Sequence, residues 1–167
     1  CNNPFRFRSA LLSFRVLERS SRPQMREIWS EQRKFEIWLE IETLACEAMA
    51  DLGQIPQKDA VEIRSRARFS IAEIAEIEKR TNHDVIAFLE NVAASVGPAA
   101  RWIHQGLTSS DILDTTLAVQ LTAAGDMPVQ DLVELRKEVA AQASRVRMRI
   151  RRGRSDWMTA ETSDAGA

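Results

Sequence analysis

Trp102 to Leu121 reads WIHQGLTSSDILDTTLAVQL and concentrates the chemically specific residues in one loop and the helix start behind it. His104 and Gly106 precede three consecutive hydroxyl residues, 108–110, and apolar residues at helical spacing follow them. The first amides of a helix lack partners within the helix and carry partial positive charge, so anions bind there. The segment therefore predicts a helix whose start can hold an anionic ligand.

The same helix start also has an ordinary structural interpretation. Thr108 and Asp111 have the Thr-x-x-Asp spacing of a capping box, in which the two side chains satisfy free amides of the first turn. A cap needs only one of the three hydroxyls, and it needs neither His104 nor Gly106. The upstream histidine and glycine therefore favour a ligand site, while the capping interpretation stays open.

A second polar segment, RTNHD at residues 80–84, interrupts the apolar pattern before a helix predicted over residues 84–96. Thr81 or Asn82 can cap that helix, which would make His83 a polar residue of its first turn. The positive end of a helix disfavours the charged form of a histidine placed there. The residues alone therefore assign no function to His83.

Both segments resemble one known family. HQGLTSSDILDTTLAVQL and the upstream TNHDVIAFL (residues 81–89) are similar, in order and separation, to two segments of the adenylosuccinate lyase family of the fumarase/aspartase superfamily. The resemblance covers residues 17–139. It implies that substrate is bound by Arg19, Asn82, His83, Asp84, His104, Thr108 and Ser109. Ser20 stands where the family has a tyrosine, so one substrate contact of the family is missing.

The resemblance implies a carbon–nitrogen lyase of purine nucleotide biosynthesis. Such an enzyme eliminates fumarate from adenylosuccinate, giving AMP, and from the succinyl derivative of aminoimidazole carboxamide ribotide. The family works without a metal or organic cofactor, as a homotetramer whose sites combine three subunits. Its general acid, a histidine, and its base, a serine, belong to later segments, so no catalytic residue is assigned here. The chain alone is therefore expected to be an inactive fragment.

Two other interpretations remain. One is another lyase of the superfamily, such as argininosuccinate lyase or a cycloisomerase, although the wording of residues 80–85, RTNHDV, weighs against it. The other is a non-catalytic helical fragment that binds ligand or lyase subunits at most. A substrate panel on a complete enzyme would distinguish them.

The apolar spacing predicts an all-α fold. A helical N-terminal lyase domain is expected over residues 17–108, followed by the incomplete start of a long central helical bundle over 109–141. Residues 1–16 are predicted to be an unmatched leader, and residues 142–167 an unmatched basic tail that is disordered. One long helix should begin at the capping spacing of Ser21 and Gln24 and end before Gly53. Pro128 predicts a kink or two shorter pieces in the bundle helix.

Composition excludes several classes of function. A formal net charge of −1 gives no field to attract nucleic acid, and the arginine run over residues 145–154 has no stacking aromatics within it. No apolar run reaches the roughly 18 residues of a membrane helix. Cys1 and Cys46 have neither metal-ligand spacing nor a disulfide framework, which suits the cytoplasm. We therefore predict a cytoplasmic protein without a nucleic-acid or membrane partner, and the resemblance implies a small-molecule nucleotide substrate.

Helix length also bears on how the two segments meet. A helix over residues 84–96 spans roughly 20 Å at about 1.5 Å per residue, and the short connection after it can return only part of that distance. We expect His83 and His104 to lie more than about 10 Å apart within one chain. They would then share a pocket only in the oligomer.

Overall fold

The computed structural model describes residues 21–147, 150–154 and 159–164. Helices account for most of these residues, and a 3₁₀ helix (Pro98–Trp102) lies between the fifth and sixth α-helices. The elements in chain order are α1 (Pro23–Ile28), α2 (Glu31–Asp51), α3 (Gln57–Arg66), α4 (Ile71–Thr81), α5 (Asp84–Val96), α6 (Ser109–Val146), β1 (Ile150–Arg154) and β2 (Thr159–Asp164). The predicted all-α fold is confirmed, and the described residues include one pair of short strands in addition to the helices.

The long helix predicted over residues 21–52 is two helices. Ser30 separates them, because its hydroxyl donates to the Glu27 carbonyl at 2.8 Å and accepts from the Arg33 amide at 3.1 Å. Its backbone is extended, with φ −71° and ψ 152°, so it caps α2 instead of continuing α1. A serine that bonds the backbone on both sides competes with the helix ladder, and the prediction of one continuous helix was wrong for that reason.

The two predicted serine caps have different outcomes. Ser70 caps α4, with its hydroxyl accepting from the Glu73 amide at 3.5 Å. Asn91 joins the two, because its side chain accepts from the Ser70 amide at 2.9 Å and donates to the Glu73 carboxylate at 2.7 Å. Helix α1 instead has Arg22 as its cap residue and a proline in its first turn. The predicted cap residue, Ser21, is therefore one position too early, and Pro23 lies in the first turn as predicted.

Four aromatic rings fix α2 against α5. Phe35 on α2 stacks on Phe88 of α5 with ring centroids 5.6 Å apart, and Trp38 meets both rings edge-on at 5.2 and 5.4 Å. Phe69 packs at the border of the cluster. Rings in such arrangements stabilise a core beyond the area they bury. The cluster therefore positions the start of α5 at Asp84. It also positions Glu42, which lies one turn after Trp38 on α2.

Helix α6 runs from Ser109 to Val146 with Pro128 inside it. Of the two predicted outcomes, two shorter pieces is therefore wrong, and a kink at Pro128 stays a prediction. A proline removes one ladder hydrogen bond at a cost of about 3 kcal/mol, and the cooperative ladder on both sides continues past it.

The region predicted to be a disordered basic tail carries secondary structure where it is described. Helix α6 occupies its first residues, and β1 pairs with β2 in antiparallel register, with Ile150 opposite Asp164 and Arg152 opposite Thr162. The register shifts between Arg152 and Arg154. Antiparallel strands joined by a short connection satisfy each other's backbone groups, which composition alone does not reveal.

Two compact units divide the chain, the first ending at Thr122 and the second beginning at Ala123. The first unit contains every predicted site residue that the structure describes. Among the described residues, no helix combines the length and the apolar content that a bilayer crossing requires.

Candidate functional site

The loop over residues 101–108, called the His104 loop here, connects the 3₁₀ helix to α6. Two of its residues are in the left-handed region, His104 at φ 64° and Gly106 at φ 78°. Glycine adopts this conformation freely, whereas a residue with a side chain is strained in it. The surrounding structure must therefore hold His104 in place.

Glu42 of α2 is the group that holds it. Its carboxylate is 2% exposed and accepts from the His104 amide at 2.8 Å through Oε2. The other oxygen, Oε1, lies 2.6 Å from Nδ1 of the His104 ring. One buried carboxylate thus fixes both the backbone and the imidazole of this histidine, and charge-assisted bonds of this kind are the stronger class.

Asp59 and Cys46, which are both buried, bond Trp102, two residues before His104. Trp102 donates through its ring nitrogen to Asp59 of α3 at 2.7 Å, and Arg101 reaches the same carboxylate oxygen at 3.2 Å. The Cys46 thiol, one helical turn beyond Glu42, donates to the Trp102 carbonyl at 3.6 Å. Side chains of α2 and α3 therefore hold the His104 loop in place.

Cys46 has no chemistry of its own at neutral pH. Burial raises the pKa of its thiol to about 11, and the neighbouring carboxylates of Glu42 and Glu47 add to the effect. The thiolate is the reactive form of cysteine, so this residue stays an inert hydrogen-bond donor in the core.

The sequence analysis did not predict the three residues that hold the loop, Glu42, Asp59 and Cys46. One of them carried a signal, because Glu42 lies four residues after Trp38 and four before Cys46, in the middle of the apolar stripe of α2. Glutamate is almost never fully buried unless it is paired. A glutamate on a core stripe therefore predicts a specific partner, although it does not say which one.

The start of α6 has one of the two bonds of the capping box that the Thr108–Asp111 spacing predicts, the bond from the Thr108 amide to the acidic side chain. Oδ2 of Asp111 accepts from the Thr108 amide at 2.7 Å and from its hydroxyl at 3.0 Å. The bond from the Thr108 amide, followed by that from its hydroxyl, lowers the pKa of Asp111. Capping therefore accounts for Thr108, and within the described part of the chain the Ser109 and Ser110 hydroxyls carry no hydrogen bond.

Residues 81–84, called the His83 segment here, form the turn between α4 and α5. Asn82 ends α4 in the left-handed region at φ 51°, and His83 is the cap residue of α5, with Nδ1 accepting from the Ile86 amide at 3.4 Å. The predicted cap by Thr81 or Asn82 was therefore wrong. Thr81 instead supports the cap residue, because its hydroxyl donates to the His83 carbonyl at 3.1 Å.

The other predicted contacts are local as well. Asp84 accepts from the amide of Val85 at 2.8 Å, beside the ring of His83 at 3.6 Å. Among the described residues, no hydrogen bond or ion pair joins the His83 segment to the His104 loop. Their predicted meeting in an oligomer stays a prediction, and Arg19 lies outside the described residues.

The cleft between α4 and α5 is separate from the His104 loop. It has a volume of about 500 Å³ and three carboxylates, Glu73, Glu76 and Glu90, in its lining, but none of the predicted site residues. The His104 loop instead places a histidine beside a helix start. Within the described ranges, no three His, Cys, Asp or Glu side chains converge as a metal site would require.

Comparison with known proteins places this arrangement in a family. The family model described as Lyase matches residues 18–162, which extends past residue 141 into the region that the resemblance above left unmatched. The chain is 42% identical over 151 residues to the adenylosuccinate lyase of Bacillus subtilis, covering 90% of this chain and 35% of that protein. It is 45% identical over 146 residues to the adenylosuccinate lyase of Synechocystis sp., covering 87% and 34%. The chain spans about a third of the length of these relatives.

Solved structures give the same result for the fold. A fumarate lyase from Mesorhizobium sp. superposes with a TM-score of 0.76 at 26% identity, covering 85% of this chain and 34% of that one. The β-carboxy-cis,cis-muconate cycloisomerase of Acinetobacter calcoaceticus superposes with a TM-score of 0.75 at 29% identity, covering 87% and 36%. With a family match over most of its length, this chain belongs to the lyase family of the fumarase/aspartase superfamily.

Proposed function

We propose that this chain forms the anion-binding part of an adenylosuccinate lyase, which eliminates fumarate from adenylosuccinate and from the succinyl derivative of aminoimidazole carboxamide ribotide. The observation that carries the proposal is the His104 loop. In it a buried carboxylate orients a histidine beside a helix start that retains free hydroxyls. Identity of 42–45% to two adenylosuccinate lyases, against 26–29% to two other lyase-fold enzymes, supports this choice of substrate.

The chemistry of the substrates fits the residues present. Each substrate carries a phosphate and two carboxylates, so the site must offer donors to several anionic oxygens. The first amides of α6, the Ser109 and Ser110 hydroxyls and the His104 ring are donors of the required kind. Thr108 contributes by holding the helix start with Asp111, so we assign it a supporting part in binding.

The His83 segment supplies a second group of candidates. His83 and Asp84 present a ring and a carboxylate at the start of α5, with side chains 40% and 41% exposed. Arg19 and Asn82 complete the set of proposed binding residues. Elimination also needs a base beside a carboxylate and an acid for the departing nitrogen. We assign both to other parts of the complete enzyme and keep the residues named here for binding and orientation.

An exposed apolar stripe on α6 supports an oligomer. Leu113, Leu117 and Leu121 recur one turn apart and are 40%, 47% and 54% exposed. Apolar stripes of this kind associate in water. We propose that other subunits of the same protein cover the stripe, in a cytoplasmic homotetramer that needs no cofactor. Sedimentation should show association that L117Q weakens and V61Q, at an exposed valine of α3, leaves unchanged.

A chimera tests the proposed reaction. Residues 18–162 would replace the matching segment of the Bacillus subtilis adenylosuccinate lyase, and fumarate release from adenylosuccinate would be measured. We expect activity that H104A lowers by roughly 10- to 100-fold in kcat/KM, the effect of losing a hydrogen bond to a charged group. The surface variant K79Q should keep the parental value, because the Lys79 side chain is 69% exposed and pairs with the exposed Glu76. A folded, tetrameric chimera without activity would refute the proposal.

The same chimera distinguishes an adenylosuccinate lyase from another enzyme of the superfamily, such as a cycloisomerase. The similarity to a muconate cycloisomerase is a specific observation in favour of a lactone-forming or lactone-opening reaction, at lower identity. Turnover of carboxymuconate without turnover of adenylosuccinate would favour that alternative. Ligand binding without either reaction would favour a non-catalytic binding segment.

A further inference from the structure

We propose that Glu42 is a positioning residue that fixes His104 as the tautomer with its hydrogen on Nδ1, leaving Nε2 to meet the anionic ligand. The tautomer stands on geometry alone, and the ligand rests on the proposed function. The role belongs to a residue of α2, 62 positions away in sequence from the histidine it orients.

The hydrogen-bond geometry defines the tautomer. A carboxylate has no hydrogen to donate, and both oxygens of Glu42 face His104, one toward the amide at 2.8 Å and one toward Nδ1 at 2.6 Å. Nδ1 must therefore be the donor in that pair. At 2% exposure, Glu42 has no solvent to replace the histidine as a partner. Breaking the pair would leave a buried carboxylate without its ring donor, which is costly.

The contact of Nδ1 with Glu42 also determines the direction in which Nε2 faces. Nδ1 and Nε2 lie on different sides of the imidazole, so a ring whose Nδ1 faces Glu42 directs Nε2 away from it. The His104 side chain remains 21% exposed, which leaves the ring open to a ligand. A neutral ring accepts at Nε2, and a ring that has taken a proton there donates to an anionic oxygen. Arg101 and Asp111 are the charged residues of the loop and helix start around it.

His83 is an internal contrast for the same property. Its Nδ1 accepts from the Ile86 amide, so a neutral His83 carries its hydrogen on Nε2. The chain has two histidines, and the structure gives them opposite tautomers. One spectrum of the whole chain can therefore test both.

The experiment is nitrogen-15 NMR of the 167-residue chain with labelled histidine, at a pH where both rings are neutral. The H83Q variant assigns the two rings. We expect a protonated Nδ1 for His104 and a protonated Nε2 for His83. A protonated Nε2 on a neutral His104 overturns the proposal, whatever any variant does.

The variant E42Q makes the prediction sharper, because it keeps the shape of the side chain. A glutamine has one acceptor oxygen, which the His104 amide occupies, so its NH₂ group faces Nδ1 and needs an acceptor there. We expect the His104 tautomer to change to the Nε2-protonated form in E42Q. E47Q is the control, since Glu47 lies on the same helix and bonds Arg64 instead. An unchanged tautomer in folded E42Q would contradict the proposal, because a merely structural glutamate would not control it.

Titration with inorganic phosphate tests whether Nε2 of His104 contacts an anionic ligand. In the parent chain, phosphate should shift the His104 Nε2 resonance more than Nδ1, because the ring takes a proton at Nε2 to donate to the anion while Glu42 accepts from Nδ1. In E42Q the charged ring would face an amide instead of a carboxylate, so the apparent affinity for phosphate should fall by about tenfold, the lower end of the effect of losing a carboxylate behind a ligating histidine. A response confined to Nδ1 overturns the assignment of Nε2. The expected tautomers without any phosphate response would support the positioning role of Glu42 and count against the anion site of the proposed function.

Discussion

The His104 loop and the His83 segment are anchored in opposite ways. The loop bonds to distant residues, with His104 held by Glu42 and Trp102 by Asp59, across 62 and 43 positions of sequence. The His83 segment bonds to groups at most four positions away. The geometry of the loop therefore depends on how α2 and α3 pack, whereas the geometry of the His83 segment is built into one helix start.

This difference bears on how each segment can serve a ligand. A loop held by buried long-range bonds has lost its conformational freedom on folding, so binding does not have to order it again. A helix cap is ordered by its own helix and keeps its form as long as that helix persists. Perturbing the core, the loop anchors and the local cap in turn should separate the two kinds of anchoring.

The largest effect should come from the core that both segments share. W38A removes a fully buried ring that contacts Phe35 and Phe88, and should lower the free energy of unfolding by about 3–5 kcal/mol. Urea unfolding followed by circular dichroism measures the loss. W29A is the control, because Trp29 is 45% exposed and should cost far less. Equal losses in the two variants would contradict the assigned core.

W38F adds a milder test of the same contact. The Trp38 ring nitrogen is buried without a hydrogen-bond partner among the described residues, so replacing the indole removes that unsatisfied group together with some volume. We expect a smaller loss than in W38A. Both histidine segments should respond together in these core variants.

Removing a loop anchor should separate the segments. D59A deprives the Trp102 ring nitrogen of its acceptor, and leaving a half-buried donor unpaired costs about 1–3 kcal/mol. Hydrogen exchange should become faster over residues 101–104 and stay unchanged over residues 81–84. E62A is the matched control on α3, since the Glu62 side chain bonds the exposed Arg66 and does not contact the loop. Equal acceleration in both segments would show that the anchoring is shared.

Sequence patterns predicted contacts between residues that are close in the chain, but not contacts between residues that are distant in it. The Ser70 and Thr108 caps follow from spacing within one turn, so they could be read from the sequence, and helix α5 was predicted with the bounds it has. The break at Ser30 was missed because apolar periodicity continues across it, while the serine bonds the backbone on both sides. Local rules fail where one side chain offers the backbone an alternative.

The sequence drew attention to His104 but not to the residues that hold it in place. His104 stood out from its position before a helix start, whereas nothing in the spacing pairs it with Glu42 or places Asp59 beside Trp102. Such pairs depend on the angle between packed helices, which a single sequence does not give. The polar residue on the α2 stripe was the one available signal.

A smaller loss is expected from the local cap. T81A removes the hydroxyl that donates to the His83 carbonyl, and a partly exposed hydrogen bond contributes about 0.5–1.5 kcal/mol. T81S keeps the hydroxyl and should retain most of the stability. Hydrogen exchange at residues 83–86 should accelerate in T81A, with the His104 loop unchanged. A change in the loop would mean that the two segments are coupled within one chain.

The smallest effect concerns the pH dependence of the cap at the start of α6. The bonds from the Thr108 amide and hydroxyl lower the pKa of Asp111 in the folded chain. A carboxyl whose pKa falls on folding stabilises the protein above its ordinary pKa, and this contribution is lost as the pH falls through the lowered value. The difference in unfolding free energy between the parent chain and D111N should therefore be constant near neutral pH and shrink below about pH 4. Asp111 is exposed, so solvent and salt screen the effect and make it smaller than those of the core and the loop anchors. D114N is the matched control one turn into the same helix, where the bonds from Thr108 to Asp111 remain and the acid-dependent loss should persist. A parent-minus-D111N difference that does not change with pH would show that Asp111 caps α6 without regard to its charge.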